Sequence, residues 1–106
     1  HQTIEANVTS QYEQHLRAIL SLPLGDTSLI LPSAMVNLLG EPNHTGLAKY
    51  EGFEEVVKTP GVHVHLYGKR FTKPFRKMGH VTIVDADMKR LKEKANFVKH
   101  TLKVIT

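Results

Sequence analysis

An α+β domain built on a small mixed or antiparallel sheet with flanking helices is the fold class this sequence predicts. Three observations carry it. Helical and strand periods follow one another in the order helix, strand, helix, strand, strand, helix, strand, which is neither a regular βαβ alternation nor an all-β pattern. Two β-patterned runs flank one Gly-bounded basic loop. The 106 residues allow one modest core, since a chain of this length buries somewhat under about 70% of its extended surface, and a two-domain enzyme is excluded. A hydrophobic share of 41% argues against disorder, and the lack of an apolar run of about 18 residues argues against a membrane span. With no Cys, disulfides, zinc-thiolate sites, iron–sulfur clusters and thiol nucleophiles are excluded. No signal peptide is visible, so the cytoplasm is the expected location, and His1 opening straight into patterned sequence suggests a fragment.

Residues 9–22 (TSQYEQHLRAILSL) set Tyr12, Leu16, Ile19 and Leu20 at helical spacing, with Val8 one turn before Tyr12. Ser10 and Glu13 fit a capping box, and Pro23 and Gly25 stop the helix. Residues 26–32 read as loop, and residues 34–39 (AMVNLL) as a largely buried strand. Residues 40–52 have loop composition, and residues 53–58 (FEEVVK) predict a short helix ended by Pro60 and Gly61. Residues 62–67 alternate Val62, Val64 and Leu66 against His63, His65 and Tyr67, the period of a half-buried strand. A second strand is expected over residues 80–84. Asp85 or Asp87 then caps a helix whose apolar face is Met88, Leu91, Ala95 and Val98, and a strand over residues 102–105 closes the chain.

Charge is segregated. Residues 1–57 carry a net −5 and residues 58–106 a net +9. Either an anionic partner meets the second half or the halves neutralise each other on folding. The stretch GKRFTKPFRKMGH, Gly68 to His80, contains Lys69, Arg70, Lys73, Arg76 and Lys77 and no acid. Glycines at its ends and Pro74 within it would hold those cations over one sheet edge, where a terminal phosphate suits an Arg fork and a compact Lys charge. The competing structural reading is a solvated turn that keeps the edge from pairing. Phe71 and Phe75 interleave with the bases, which opens a single-stranded nucleic-acid reading, but an aromatic content of 7% is thin for a stacking platform. His63 and His65 share a strand face, yet two ligands are too few for a metal site. No hydrolase, P-loop or dinucleotide motif is present.

Three stretches go further: TIEANVTSQYEQHLRAILSLPLGDT from Thr3 to Thr27, MVNLLGE from Met35 to Glu41, and GVHVHLYGK with RKMGHVTI around the basic loop. Together they resemble the C-terminal part of the 5-(carboxyamino)imidazole ribonucleotide synthase family, the ATP-grasp ligases also called the ATPase subunit of phosphoribosylaminoimidazole carboxylase. The resemblance runs to about Val84. It implies an enzyme of purine biosynthesis that uses ATP to activate bicarbonate and carboxylates the amine of aminoimidazole ribonucleotide. It implies residues 1–24 as the terminal helix of the ATP-grasp domain and residues 25–106 as a small C-terminal α+β domain. By motif position, Lys69 and Arg76 correspond to the family's grip on the substrate phosphate, with Lys77 a neighbouring candidate.

The family's magnesium-binding carboxylates lie before a His-Asn-Ser-Gly-His stretch, of which His1 resembles the last residue. ATP and magnesium therefore belong to the full-length enzyme, Glu5 and Glu13 do not replace the missing ligands, and no catalytic or metal residue is assigned here. The expected partners are aminoimidazole ribonucleotide through its phosphate, the rest of the ATP-grasp chain and a second copy in a homodimer, with neither nucleic acid nor membrane. A standalone anion-binding module for RNA or an acidic protein is the alternative. The family tends to carry Gly where Phe75 stands and often Cys where Asn7 stands.

Overall fold

A computed structural model describes residues 1–106. Its helices are α1 (Thr3–Ala6), α2 (Gln11–Ile19), α3 (Phe53–Val57) and α4 (Met88–Thr101). Its strands are β1 (Ser33–Leu39), β2 (Gly46–Leu47), β3 (Lys49–Glu51), β4 (Val62–Leu66), β5 (Phe71–Thr72), β6 (Lys77–Val84) and β7 (Lys103–Ile105). The main sheet is antiparallel, in the order β1-β6-β4. Two small antiparallel pairs, β2 with β5 and β3 with β7, complete the architecture.

β6 is the organising strand because it alone is paired along both edges. Its period of two sends Val81 and Ile83 to one face and His80 and Thr82 to the other. Val81 and Ile83 join Leu38, Val56, Leu91, Val98, Leu102 and Val104 in the core beneath α3 and α4. Each such buried aliphatic side chain contributes roughly 1.5–3 kcal/mol of transfer free energy. Met78, at an irregularity where β1 skips from Gly79 to Lys77, reaches the same core. The N-terminal segment lies over the opposite face, where His80 and Thr82 are also buried.

Local chemistry explains the helix starts. Ser10 Oγ accepts from the Glu13 backbone N–H at 3.1 Å. The Glu13 carboxylate, however, goes to Arg17 Nε at 2.8 Å, so only half of the expected capping box forms. Asp87 caps α4 by accepting from the N–H groups of Lys89 and Arg90. Asp85, buried just before it, accepts from the Asp87 N–H at 2.9 Å and meets Lys94 Nζ at 2.8 Å and Arg90 Nη2 at 3.2 Å. The Lys94 bond first, then the Asp87 N–H, pull its carboxyl down to about 2.

Several expectations change. The second central strand begins at Lys77, so Lys77, Met78 and Gly79 belong to β6 and not to the loop. Residues 40–52 contain β2 and β3, and the closing strand pairs with β3 and meets the end of β1 through a single bridge from Val104 to Gly40. β1 has a neighbour along only one edge of the main sheet, so only Leu38 is buried in it while Met35 and Leu39 are exposed. Leu102 is the cap of α4, and Met88 is exposed at the helix start. α1 adds a turn of helix that the sequence pattern did not predict. α2 buries no residue: Tyr12, Leu16, Ile19 and Leu20 all face outward.

Candidate phosphate-binding hairpin

The basic loop is shaped at both ends by left-handed backbone. Gly68 follows β4 at φ 73°, a value that favours glycine for its conformation alone, because an added Cβ there would meet open space. Phe75 adopts φ 66°, a conformation that is costly for an aromatic residue. The loop thus keeps a glycine-like backbone path at Phe75 while carrying a side chain there, and that ring is 71% exposed. The turn is bolted to the end of β1: Phe75 N–H donates to Gly40 O, and Gly40 N–H donates to Arg76 O, both at 2.8 Å. Gly40 admits no Cβ because the Lys73 carbonyl occupies that space. Midway, β5 pairs with β2, so the loop is held along its length.

Of the three cations singled out by sequence, Lys69 and Lys77 are brought together across the hairpin: Lys69 Nζ donates to the Lys77 carbonyl at 2.8 Å. Arg76 Nη1 donates to the Phe71 carbonyl at 3.0 Å. Each head group spends part of its donor capacity on a neutral oxygen and keeps further N–H groups free. None of Lys69, Arg70, Lys73, Arg76 and Lys77 forms an ion pair. The acids of the first half do not fold back to neutralise them. The pairs that join the two halves are Lys103 with Glu41 at 3.8 Å and His65 with Glu5 at 2.6 Å, and neither uses a cation of the loop.

Sequence reasoning missed a polar cluster beside this loop. Tyr67 Oη lies 2.9 Å from His80 Nδ1, and the His80 ring stacks on His65 at 4.6 Å between centroids with 10° between planes. His1 lies 4.3 Å from the same ring and receives Tyr12 Oη on its Nδ1 at 3.1 Å. His65 reaches Glu5, so the strand face read as half-exposed is partly covered by α1. Burial foremost, then the neighbouring His65, amino-terminal and Lys77 charges, hold the His80 imidazole below its ordinary value, with Glu5 acting the other way. Burial also raises the Tyr67 phenol. The signal in the sequence was polar alternation on both strands of the hairpin, His63 and His65 on one, His80 and Thr82 on the other.

No group of three or more His, Asp or Glu side chains is placed to hold a metal ion. No helix is long and apolar enough to cross a membrane.

Fold and loop together define a small antiparallel α+β accessory domain that presents unneutralised cations at one end of its sheet. The phosphoribosylaminoimidazole carboxylase C-terminal domain family matches residues 33–94. N5-carboxyaminoimidazole ribonucleotide synthase of Mycobacterium tuberculosis is 39% identical over 104 residues, which cover 96% of this chain and 24% of that protein. The crystal structure of N5-carboxyaminoimidazole ribonucleotide synthetase from Thermotoga maritima superimposes with a TM-score of 0.95 at 54% identity, over 100% of this chain and 30% of that one. An Aspergillus clavatus N5-carboxyaminoimidazole synthase, solved in complex with ADP and 5-aminoimidazole ribonucleotide, gives a TM-score of 0.78 at 32% identity, covering 94% of this chain and 27% of its own. The chain belongs to the phosphoribosylaminoimidazole carboxylase C-terminal domain family. It spans about a quarter of the length of the curated bacterial relatives it matches.

Proposed function

We propose that this chain is the C-terminal part of an ATP-dependent ligase of purine biosynthesis that carboxylates aminoimidazole ribonucleotide with bicarbonate, and that its basic hairpin holds the substrate's phosphate. The observation that carries this reading is a rigidly tethered loop with five cations and no carboxylate partner. Lys69 and Arg76 hold backbone carbonyls, and a phosphate oxygen is the stronger acceptor for both head groups. The ribonucleotide complex of the Aspergillus clavatus relative supports the choice of ligand. A phosphate anchored away from the reacting amine orients that amine and supplies binding energy that the chemical step can use. Lys77 adds positive field beside the Lys69 ammonium.

In this reading residues 1–24 end the ATP-grasp domain and residues 25–106 form the small domain beside it. An α2 that buries none of its apolar face, and a family match that starts at residue 33, both support it. ATP and magnesium are held by the rest of the ligase, and the isolated chain is inactive.

A charge-assisted bond to phosphate is worth roughly 1.5–3 kcal/mol, so Lys69→Ala or Arg76→Ala in the intact ligase raises the KM for aminoimidazole ribonucleotide about tenfold or more. Unchanged kinetics in both variants would refute the assignment, and an effect confined to Lys77→Ala would shift the register of the clamp. The exposed rings of Phe71 and Phe75 support the alternative, a module for single-stranded RNA. Its signature is retention on single-stranded RNA that falls steeply with salt.

A further inference from the structure

Lys69 is a long, flexible side chain, and confining its ammonium costs up to about 2 kcal/mol of rotamer entropy unless the surroundings already restrict it. Its surroundings do so on two sides. The Lys77 carbonyl takes one N–H at 2.8 Å, and the Tyr67 ring lies 5.9 Å from Nζ, measured to the ring centroid. Tyr67 sits just beyond β4, where its backbone N–H still donates to Met78 O at 3.0 Å, and Gly68 then turns the chain so that Lys69 passes beside that ring. The ring is partly exposed and free to swing outward were its far end not held.

What holds it is His80, only 2% exposed, whose Nδ1 meets Tyr67 Oη at 2.9 Å. His80 Nε2 is buried with no partner, so the Tyr67 bond is the one hydrogen bond that orients the imidazole. The imidazole lies between His65 and His1, and His65 is tied to Glu5. A continuous series of contacts thus runs from Glu5 in the N-terminal segment, through His65, His80 and Tyr67, to the Lys69 ammonium.

We infer that Tyr67 and His80 are positioning residues for Lys69, and that they aim its ammonium at the phosphate of the ligase substrate. The inference rests on the phosphate-clamp reading above. The protonation states agree with the geometry. Burial favours the protonated phenol and the neutral imidazole, and in the tautomer that carries its proton on Nε2 the Tyr67 O–H donates to His80 Nδ1.

The test is a double-mutant cycle in the intact ligase, reading kcat and the KM for aminoimidazole ribonucleotide and for ATP. Tyr67→Phe keeps the ring and removes only the hydroxyl. It should raise the ribonucleotide KM about fivefold with kcat within about twofold and the ATP KM unchanged, the loss expected of one hydrogen bond. In a Lys69→Ala background the same change should add nothing, because the group it positions is gone. His80→Asn, which keeps an acceptor near the place of Nδ1, should retain most of the affinity, whereas His80→Leu should match Tyr67→Phe. Melting temperatures of all variants establish that each is folded. A large KM effect of Lys69→Ala with none from Tyr67→Phe overturns the positioning role and leaves the clamp intact. A Tyr67→Phe effect that persists at full size without Lys69 also overturns it. No effect of Lys69→Ala removes the clamp, and the positioning role with it.

Discussion

The hairpin from Gly68 to His80 and helix α4 are the two basic regions of this chain, and only on α4 do cations meet a carboxylate. On α4, Arg90 and Lys94 converge on Asp85, and Asp87 caps the helix beneath them. On the hairpin, five cations have only carbonyls, aromatic rings and solvent for company, and no carboxylate. A run of Lys and Arg is therefore not itself a site. The difference lies in the acids: two flank the start of α4 and none lies within the loop. Charge that is answered within the chain stabilises the fold, and charge left unanswered on a rigid loop is available to a ligand. Ten of the twelve cations of the second half lie in these two regions, and the hairpin is the one with no carboxylate among them.

Changes that separate the two regions should differ in kind. The largest effect is expected from the Lys69→Ala, Arg76→Ala double variant, whose ribonucleotide KM in the intact ligase should rise by about a hundredfold, while Lys92→Ala on α4 should leave it within about twofold. Steady-state kinetics with saturating ATP checks both. Asp87→Ala removes the cap of α4 and should cost about 1 kcal/mol of stability in denaturant titration without altering the ribonucleotide KM. A change in KM there would blur the distinction.

Acid should act on the α4 cluster next. The Asp85 carboxyl titrates at about 2 in the fold against 3.8 unfolded, so its contribution is complete above about pH 4 and is lost as pH falls toward 2. Unfolding curves of Asp85→Asn should lack that acid limb, and an identical limb would assign it elsewhere. Smallest is Phe75→Gly. Relief of the left-handed backbone slightly outweighs the entropy of the added glycine, so stability should rise by about 0.5 kcal/mol with the clamp unaffected.

Elements that carry their own signals were legible in the sequence. α2 and α4 announce themselves by a capping residue and a helical period, and β4 with β6 by alternation about a Gly-bounded loop. Of the small pairs only the closing strand was legible, because Lys49–Glu51 is a strand only through its partner Lys103–Ile105, and Gly46–Leu47 and Phe71–Thr72 only through each other. Two or three residues carry no periodicity, and the pairing energy comes from a segment tens of residues away. The same limit applied to the site. Lys69, Arg70, Lys73, Arg76 and Lys77 stood out as an acid-free cluster, within which only the family resemblance singled out Lys69, Arg76 and Lys77, while Tyr67 and His80 gained meaning only when the antiparallel register set His65 opposite His80.

The exposed face of α2 contrasts with the filled core under α4. Leu16, Ile19 and Leu20 repeat at helical spacing yet bury nothing within this chain, which agrees with the proposal that α2 belongs to a neighbouring domain.

The central claim is that the hairpin reads a phosphate and not merely negative charge nearby. Comparing the KM of the intact ligase for aminoimidazole ribonucleotide with that for the riboside lacking the phosphate, in the parent and in the Lys69→Ala, Arg76→Ala variant, tests it most directly. The double variant should lose most of its preference for the ribonucleotide while handling the riboside as the parent does. An undiminished preference in that variant would contradict the assignment of these two residues.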